Sequence, residues 1–64
     1  MKYYEYEVIY LNGNKNHFYC NGFIEAIVLA MAYAQKQGWD MRISYITDEK
    51  GTVIKNIEFP KYTF

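Results

Sequence analysis

Tyr4-Glu5-Tyr6-Glu7-Val8-Ile9-Tyr10-Leu11-Asn12-Gly13-Asn14-Lys15-Asn16-His17-Phe18-Tyr19-Cys20 holds two runs of alternating character around one turn, and its reading decides the fold. Side chains on a strand alternate between faces, so Tyr4, Tyr6, Val8 and Tyr10 share one side while Tyr3, Glu5, Glu7 and Ile9 share the other. The uncharged set faces the core. Parity then tests the turn: a two-residue Asn12-Gly13 connection puts Glu7 opposite Phe18 on one face, which conflicts with the pattern. A three-residue loop from Asn12 to Asn14 pairs Val8 with Phe18, Tyr6 with Cys20, Ile9 with His17 and Glu7 with Tyr19, consistently on both faces. It requires a left-handed residue at Asn14, one of the few non-glycine types that adopts that conformation.

The far end of the chain repeats the motif. Gly51 supplies the left-handed residue of a Glu49-Lys50-Gly51 loop after Asp48. Met41 then faces Phe59, Ile43 faces Ile57 and Thr47 faces Val53 on one side. Arg42 meets Glu58, Ser44 meets Asn56 and Ile46 meets Ile54 on the other. The first set is taken as the inner face, at the expense of an inward Tyr45 opposite Lys55, tolerable at a rim.

Between the hairpins, Asn21-Gly22 opens a helix over residues 22–37 and Gly38 closes it. Glu25 in the first turn and Lys36 in the last both complement the helix dipole. At 100° per residue Phe23, Ile27, Ala30, Met31 and Ala34 form the packing face, flanked by Ile24, Ala26 and Tyr33. The opposite side carries Val28, Leu29 and Ala32 where a solitary helix would be polar. The expected architecture is an α+β fold of order ββαββ, one domain over residues 1–64. It comprises a hairpin 2–20, the helix 22–37, a hairpin 39–59 and a tail 60–64. A right-handed crossover makes the second and third strands run the same way, so the order 2-1-3-4 leaves every neighbouring pair antiparallel. One face of that sheet is covered by the helix and the other is open.

A 64-residue chain hides only about 60% of its unfolded surface. The lone Cys20 cannot form an internal disulfide, and no Cys/His cluster suggests a metal or other cofactor, so burial against a partner is the remaining source of stability. Seven bases against seven acids, both scattered, give neither a phosphate-tracking stripe nor a continuous negative face. The N-terminal Met-Lys-Tyr-Tyr-Glu lacks the basic segment and apolar stretch of a secretory signal. The longest apolar run, Ala26 to Ala34, is too short to span a bilayer. A cytoplasmic protein with no membrane association is expected.

Catalytic constellations are sparse. His17 and Cys20 lie at odd spacing in one strand and point to opposite faces, which rules out a local nucleophile and base pair; Cys20 reads as a small buried hydrophobe. Ser44 has Asn56 rather than His as its expected neighbour, so no Ser-His-acid triad forms locally. Glu5 and Glu7 share a face about 6.6 Å apart and read as solvated charges. An acid–base site becomes admissible only if they and His17 gather in one concavity. The chain reads as a non-enzyme.

Two apolar surfaces have no partner: Val28, Leu29 and Ala32 on the helix, and Ile9, Ile46 and Ile54 on the open sheet face. The leading expectation is a non-catalytic interaction protein that self-associates, as a homodimer first of all, and binds another macromolecule through its free surface. A single domain of this size without catalytic residues resembles the small accessory or inhibitor proteins of phages and other mobile elements, which implies a protein partner. The alternative is a binder of nucleotides or short single strands using Tyr3, Tyr19, His17 and Arg42 on the open face. It is disfavoured, because most tyrosines fall on the covered face and act there as core fillers.

Overall fold

A computed structural model describes residues 2–55. The chain runs β1 (Tyr4–Tyr10), β2 (Lys15–Cys20), α1 (Phe23–Gln37), β3 (Ile43–Asp48) and β4 (Val53–Ile54). One sheet of order β2-β1-β3-β4 results, with all neighbouring pairs antiparallel. This is the expected ββαββ arrangement in the expected strand order. The helix packs on β1 and β2, ends at a left-handed Gly38, and begins at an extended Gly22 with no side-chain cap.

The first hairpin keeps a three-residue loop but moves it. Gly13 donates to the Tyr10 carbonyl at 3.0 Å and Tyr10 donates to the Asn14 carbonyl at 2.8 Å, so the loop is Leu11-Asn12-Gly13. Gly13 takes the left-handed backbone, at φ 91°, that the sequence reading assigned to Asn14. A residue without Cβ adopts that region at no steric cost, whereas Asn only tolerates it. Asn12 Oδ1 instead accepts from the Asn14 amide at 3.0 Å, closing a side-chain turn around the glycine. The resulting register pairs Tyr6 with Phe18, Glu7 with His17 and Glu5 with Tyr19, two residues from the expected one. A shift of two preserves every face, so Tyr6, Val8, Tyr10 and Cys20 are buried as expected. What changes is the company: His17 faces Glu7 rather than Ile9.

The second hairpin shows the opposite pattern, a correct register on inverted faces. Ile46 pairs with Ile54 and Thr47 with Val53 around a Glu49-Lys50-Gly51 loop, with Gly51 at φ 85°. Asp48 holds that loop, its Oδ1 accepting from the Lys50 and Thr52 amides at 3.0 and 2.8 Å. Yet Ile46 is fully buried and Ile54 packs against the core, so neither lies on the open face. Along β1, Ile9 pairs with Tyr45 and Tyr10 with Ile43, which makes Ser44 an extra residue in β3. This bulge breaks the period-two alternation and lets Ile43 and Ile46, three positions apart, both enter the core. Tyr45, paired with Ile9, belongs to the open face, which removes the inward Tyr45 that had strained the sequence reading. Trp39 to Arg42 form a connection rather than strand. The pairs expected to involve Asn56, Ile57, Glu58 and Phe59, and the tail 60–64, lie outside the described residues.

The core joins Tyr6, Val8 and Tyr10 of β1 to Ala26, Ile27, Ala30 and Ala34 of α1, with Cys20, Ile43 and Ile46 closing it. Three alanines on the helix let the backbones approach, and the tyrosines of β1 fill the space. Tyr10 is fully buried and donates its hydroxyl proton to the Ala30 carbonyl at 2.7 Å. Its ring meets Trp39 edge-on at 5.6 Å; Trp39 meets Tyr33 at 5.5 Å, and Tyr33 meets Phe18 at 6.4 Å. This aromatic arc ties β1, the end of α1 and β2 together. Ala26, placed on a flank by the sequence reading, is central, while Phe23 at the first turn is largely exposed.

Burial raises the Tyr10 and Tyr6 phenols above the ordinary value near 10. A raised phenol contributes stability that is complete below pH about 10 and is lost as pH climbs through the higher folded-state value. Urea unfolding of Tyr10→Phe at pH 7 is expected to show a loss of about 1 to 1.5 kcal/mol, one buried hydrogen bond. Its stability should then fall less steeply than the wild type's as pH rises above about 10. An unchanged midpoint at pH 7 means the hydroxyl bond contributes nothing.

Candidate interaction surfaces

The two-residue shift of the first hairpin builds a site on the open sheet face. With Glu7 and His17 opposite each other, His17 Nε2 lies 2.9 Å from Glu7 Oε2. Pairing of β1 with β3 carries the tip of the second hairpin alongside, so that Glu5, Glu7, His17, Thr47, Asp48 and Glu49 line one hollow of about 280 Å³. Glu5, Glu7 and His17 therefore do gather in a concavity, the condition set for an acid–base site. The contributions of Thr47, Asp48 and Glu49 do not follow from the sequence reading, because the expected order places β3 beside β1 without fixing the register of that pairing.

The hollow's chemistry follows from its exposure. The His17 side chain is 57% exposed and that of Glu7 35%, so water screens the pair and no wall desolvates the carboxylates. General acid–base work draws on a dry, low-dielectric setting, whereas here Glu5 and Glu49 are exposed, Glu7 is paired with His17, and Asp48 is taken up by the amides of its own loop. The arrangement attracts positive charge. Among the described residues no group of three or more His, Cys, Asp or Glu side chains is placed to hold a metal ion. Beside the hollow, Tyr19 opposes Glu5 and stacks on Tyr3 with ring centres 5.9 Å apart and planes 27° from parallel.

Arg42, expected to join those rings, lies elsewhere. Its guanidinium binds Asp40 through Nε at 3.1 and 3.0 Å and through Nη2 at 2.6 Å. These hydrogen bonds hold the Asp40 carboxyl below its ordinary range and raise Arg42. The pair borders a second hollow, about 210 Å³, together with Met31 and Met41. Arg42 sits beyond Tyr10 in the ladder and Tyr19 beside Glu5, so they stand roughly 20 Å apart along the strands, on opposite sides of β1. The four residues of the nucleotide platform are not brought together.

Of the open-face aliphatics, Ile9 alone remains there, half-buried between Lys15 and Tyr45; Ile46 and Ile54 have moved to the covered side. The outer side of the helix keeps aliphatic residues at its surface. Leu29 is 38% exposed, Ala32 is exposed and Val28 half-buried, and Ile24, read as a flank residue, is 51% exposed. No helix among the described residues is long and apolar enough to cross a membrane. The chain matches no protein-family model, no curated protein and no solved structure.

Cys20 is fully buried, and burial raises its thiol, partly offset by its hydrogen bond to the Gly22 carbonyl at 3.4 Å. A buried, protonated thiol is a poor nucleophile. Alkylation by iodoacetamide at pH 8 is expected to follow the unfolding rate, with no reaction of the native protein on the minute scale. Rapid native modification would show that the β2–α1 corner opens.

Proposed function

We propose that the protein is a non-catalytic interaction module that self-associates through the outer face of α1 and presents its open sheet face to another macromolecule. The observation that carries this reading is the exposed aliphatic surface of Ile24, Leu29 and Ala32, with Val28 beside it. Burying a large aliphatic side chain contributes about 1.5 to 3 kcal/mol, which a domain this small forfeits at each position left in water. A second copy offers such a surface at no genetic cost. The removal of Ile46 and Ile54 from the open face leaves the helix as the apolar candidate of choice.

The sheet face suits a different occupant. Glu5, Glu7, Asp48 and Glu49 repel a phosphate backbone and favour a positively charged protein surface, while Tyr3 and Tyr19 add flat, amphipathic area of the kind that anchors protein interfaces. An accessory or inhibitor role in the cytoplasm, of the sort small phage proteins play, is the biological form of this proposal.

Light scattering on Leu29→Glu tests the helix surface, with Ile54→Glu as a core control. Leu29→Glu is expected to remain folded and shift the chain from dimer to monomer. Ile54→Glu, which buries a charge beside Ile46, is expected to cost several kcal/mol of stability. A wild-type chain that stays monomeric up to about 1 mM overturns the proposal.

A further inference from the structure

The outer face of α1 carries more than apolar area. Glu25, Leu29, Ala32 and Lys36 recur at steps of four, three and four, the spacing that lines up one seam of a two-stranded helical coil. Leu29, Ala32 and Lys36 are exposed and Glu25 is half-buried. Among the described residues neither Glu25 nor Lys36 is held in an ion pair. The stripe is symmetric about its middle in position and antisymmetric in charge and size: acid at one end, base at the other, a large residue beside a small one between.

Resting on the self-association reading above, we propose that a second copy of this chain packs on this stripe with its helix antiparallel, about a two-fold axis passing between residues 30 and 31. Such an axis sends position 25 opposite 36 and position 29 opposite 32. Leu29 of each copy then fills the space above the partner's Ala32, and Glu25 of each meets the partner's Lys36, twice in the dimer. A parallel pairing places Glu25 against Glu25 and Lys36 against Lys36, and stacks leucine on leucine beside an alanine gap. Charge and shape both reject it, and the antiparallel helix dipoles add to the preference. One helix pair about 22 Å long covers far less than the roughly 1,200 Å² of a durable interface, so the dimer exchanges readily and forms in the micromolar range.

Sedimentation equilibrium of the full chain and of three charge variants tests the register. Glu25→Lys and Lys36→Glu are each expected to weaken the dimer roughly tenfold or more, because both symmetry-related attractions become repulsions. The double variant restores complementarity and should return to within about threefold of the wild type. Each reversal opposes the dipole of α1, and the double does so at both ends, so its recovery cannot come from a better helix. Circular dichroism checks that each variant folds. If one does not, the salt dependence of the wild type decides, with weakening of several-fold expected between about 0.05 and 0.5 M salt. A monomeric full chain at about 1 mM overturns both this geometry and the self-association beneath it. A dimer broken by Leu29→Glu yet indifferent to both single reversals, no tighter in the double than in the singles, or flat in salt, overturns the antiparallel register alone.

Discussion

The Tyr10 hydroxyl donates a hydrogen bond to the Ala30 carbonyl across the sheet–helix interface, 2.7 Å away and out of reach of water. Almost everything else in the molecule is arranged around that bond. It requires the helix to lie close to β1, which Ala26, Ala30 and Ala34 permit by presenting methyl groups where larger side chains would hold it off. It requires the ring of Tyr10 to be walled in, which Trp39 does from the residue after the helix stop, supported in turn by Tyr33 and Phe18. And it requires β1 to be central, so that β3 can bring Ile43 against it from the other side. A chain with no disulfide among its described residues and little apolar area thus concentrates its core on one strand and one narrow helix stripe.

That economy explains what is left over. A helix that packs through alanines buries little of its own circumference, and the aliphatic residues on the rest of it face solvent. The sheet, meanwhile, spends its apolar side chains inward, helped by the Ser44 bulge that turns Ile43 and Ile46 to the same side. Its open face mixes acids and aromatic rings with the aliphatic Ile9 and Val53. The two surfaces differ in kind, the helix one greasy and self-complementary in charge, the sheet one polar and negative.

Much of this was legible in the residue order. The alternation of β1, the loop glycine of the second hairpin, the helix bounded by Gly22 and Gly38 and the strand order all follow from local signals: period, turn chemistry and the handedness of a crossover. The first hairpin was read on the right faces but two residues out of register, because Asn14 and Gly13 both satisfy parity and only the lower steric cost of glycine separates them. In β3, Ile43 is inward as the sequence implies, and the faces invert only beyond Ser44. Nothing in Ile43-Ser44-Tyr45-Ile46 announces a bulge, and strict alternation is the natural assumption without one.

The candidate surfaces divide along the same line. Val28, Leu29 and Ala32 could be placed on an outward helix face from sequence, since 100° per residue is a local rule and needs no knowledge of what the helix packs against. The acidic hollow could not, because which residues of β3 meet Glu5, Glu7 and His17 depends on the register of the β1–β3 pairing, set between residues some forty positions apart in the chain. Local periodicity and turn chemistry are written in neighbouring residues. In which register those strand edges meet, and with which face inward, is settled by the competition of whole surfaces for burial, and in β3 a single extra residue turns the faces.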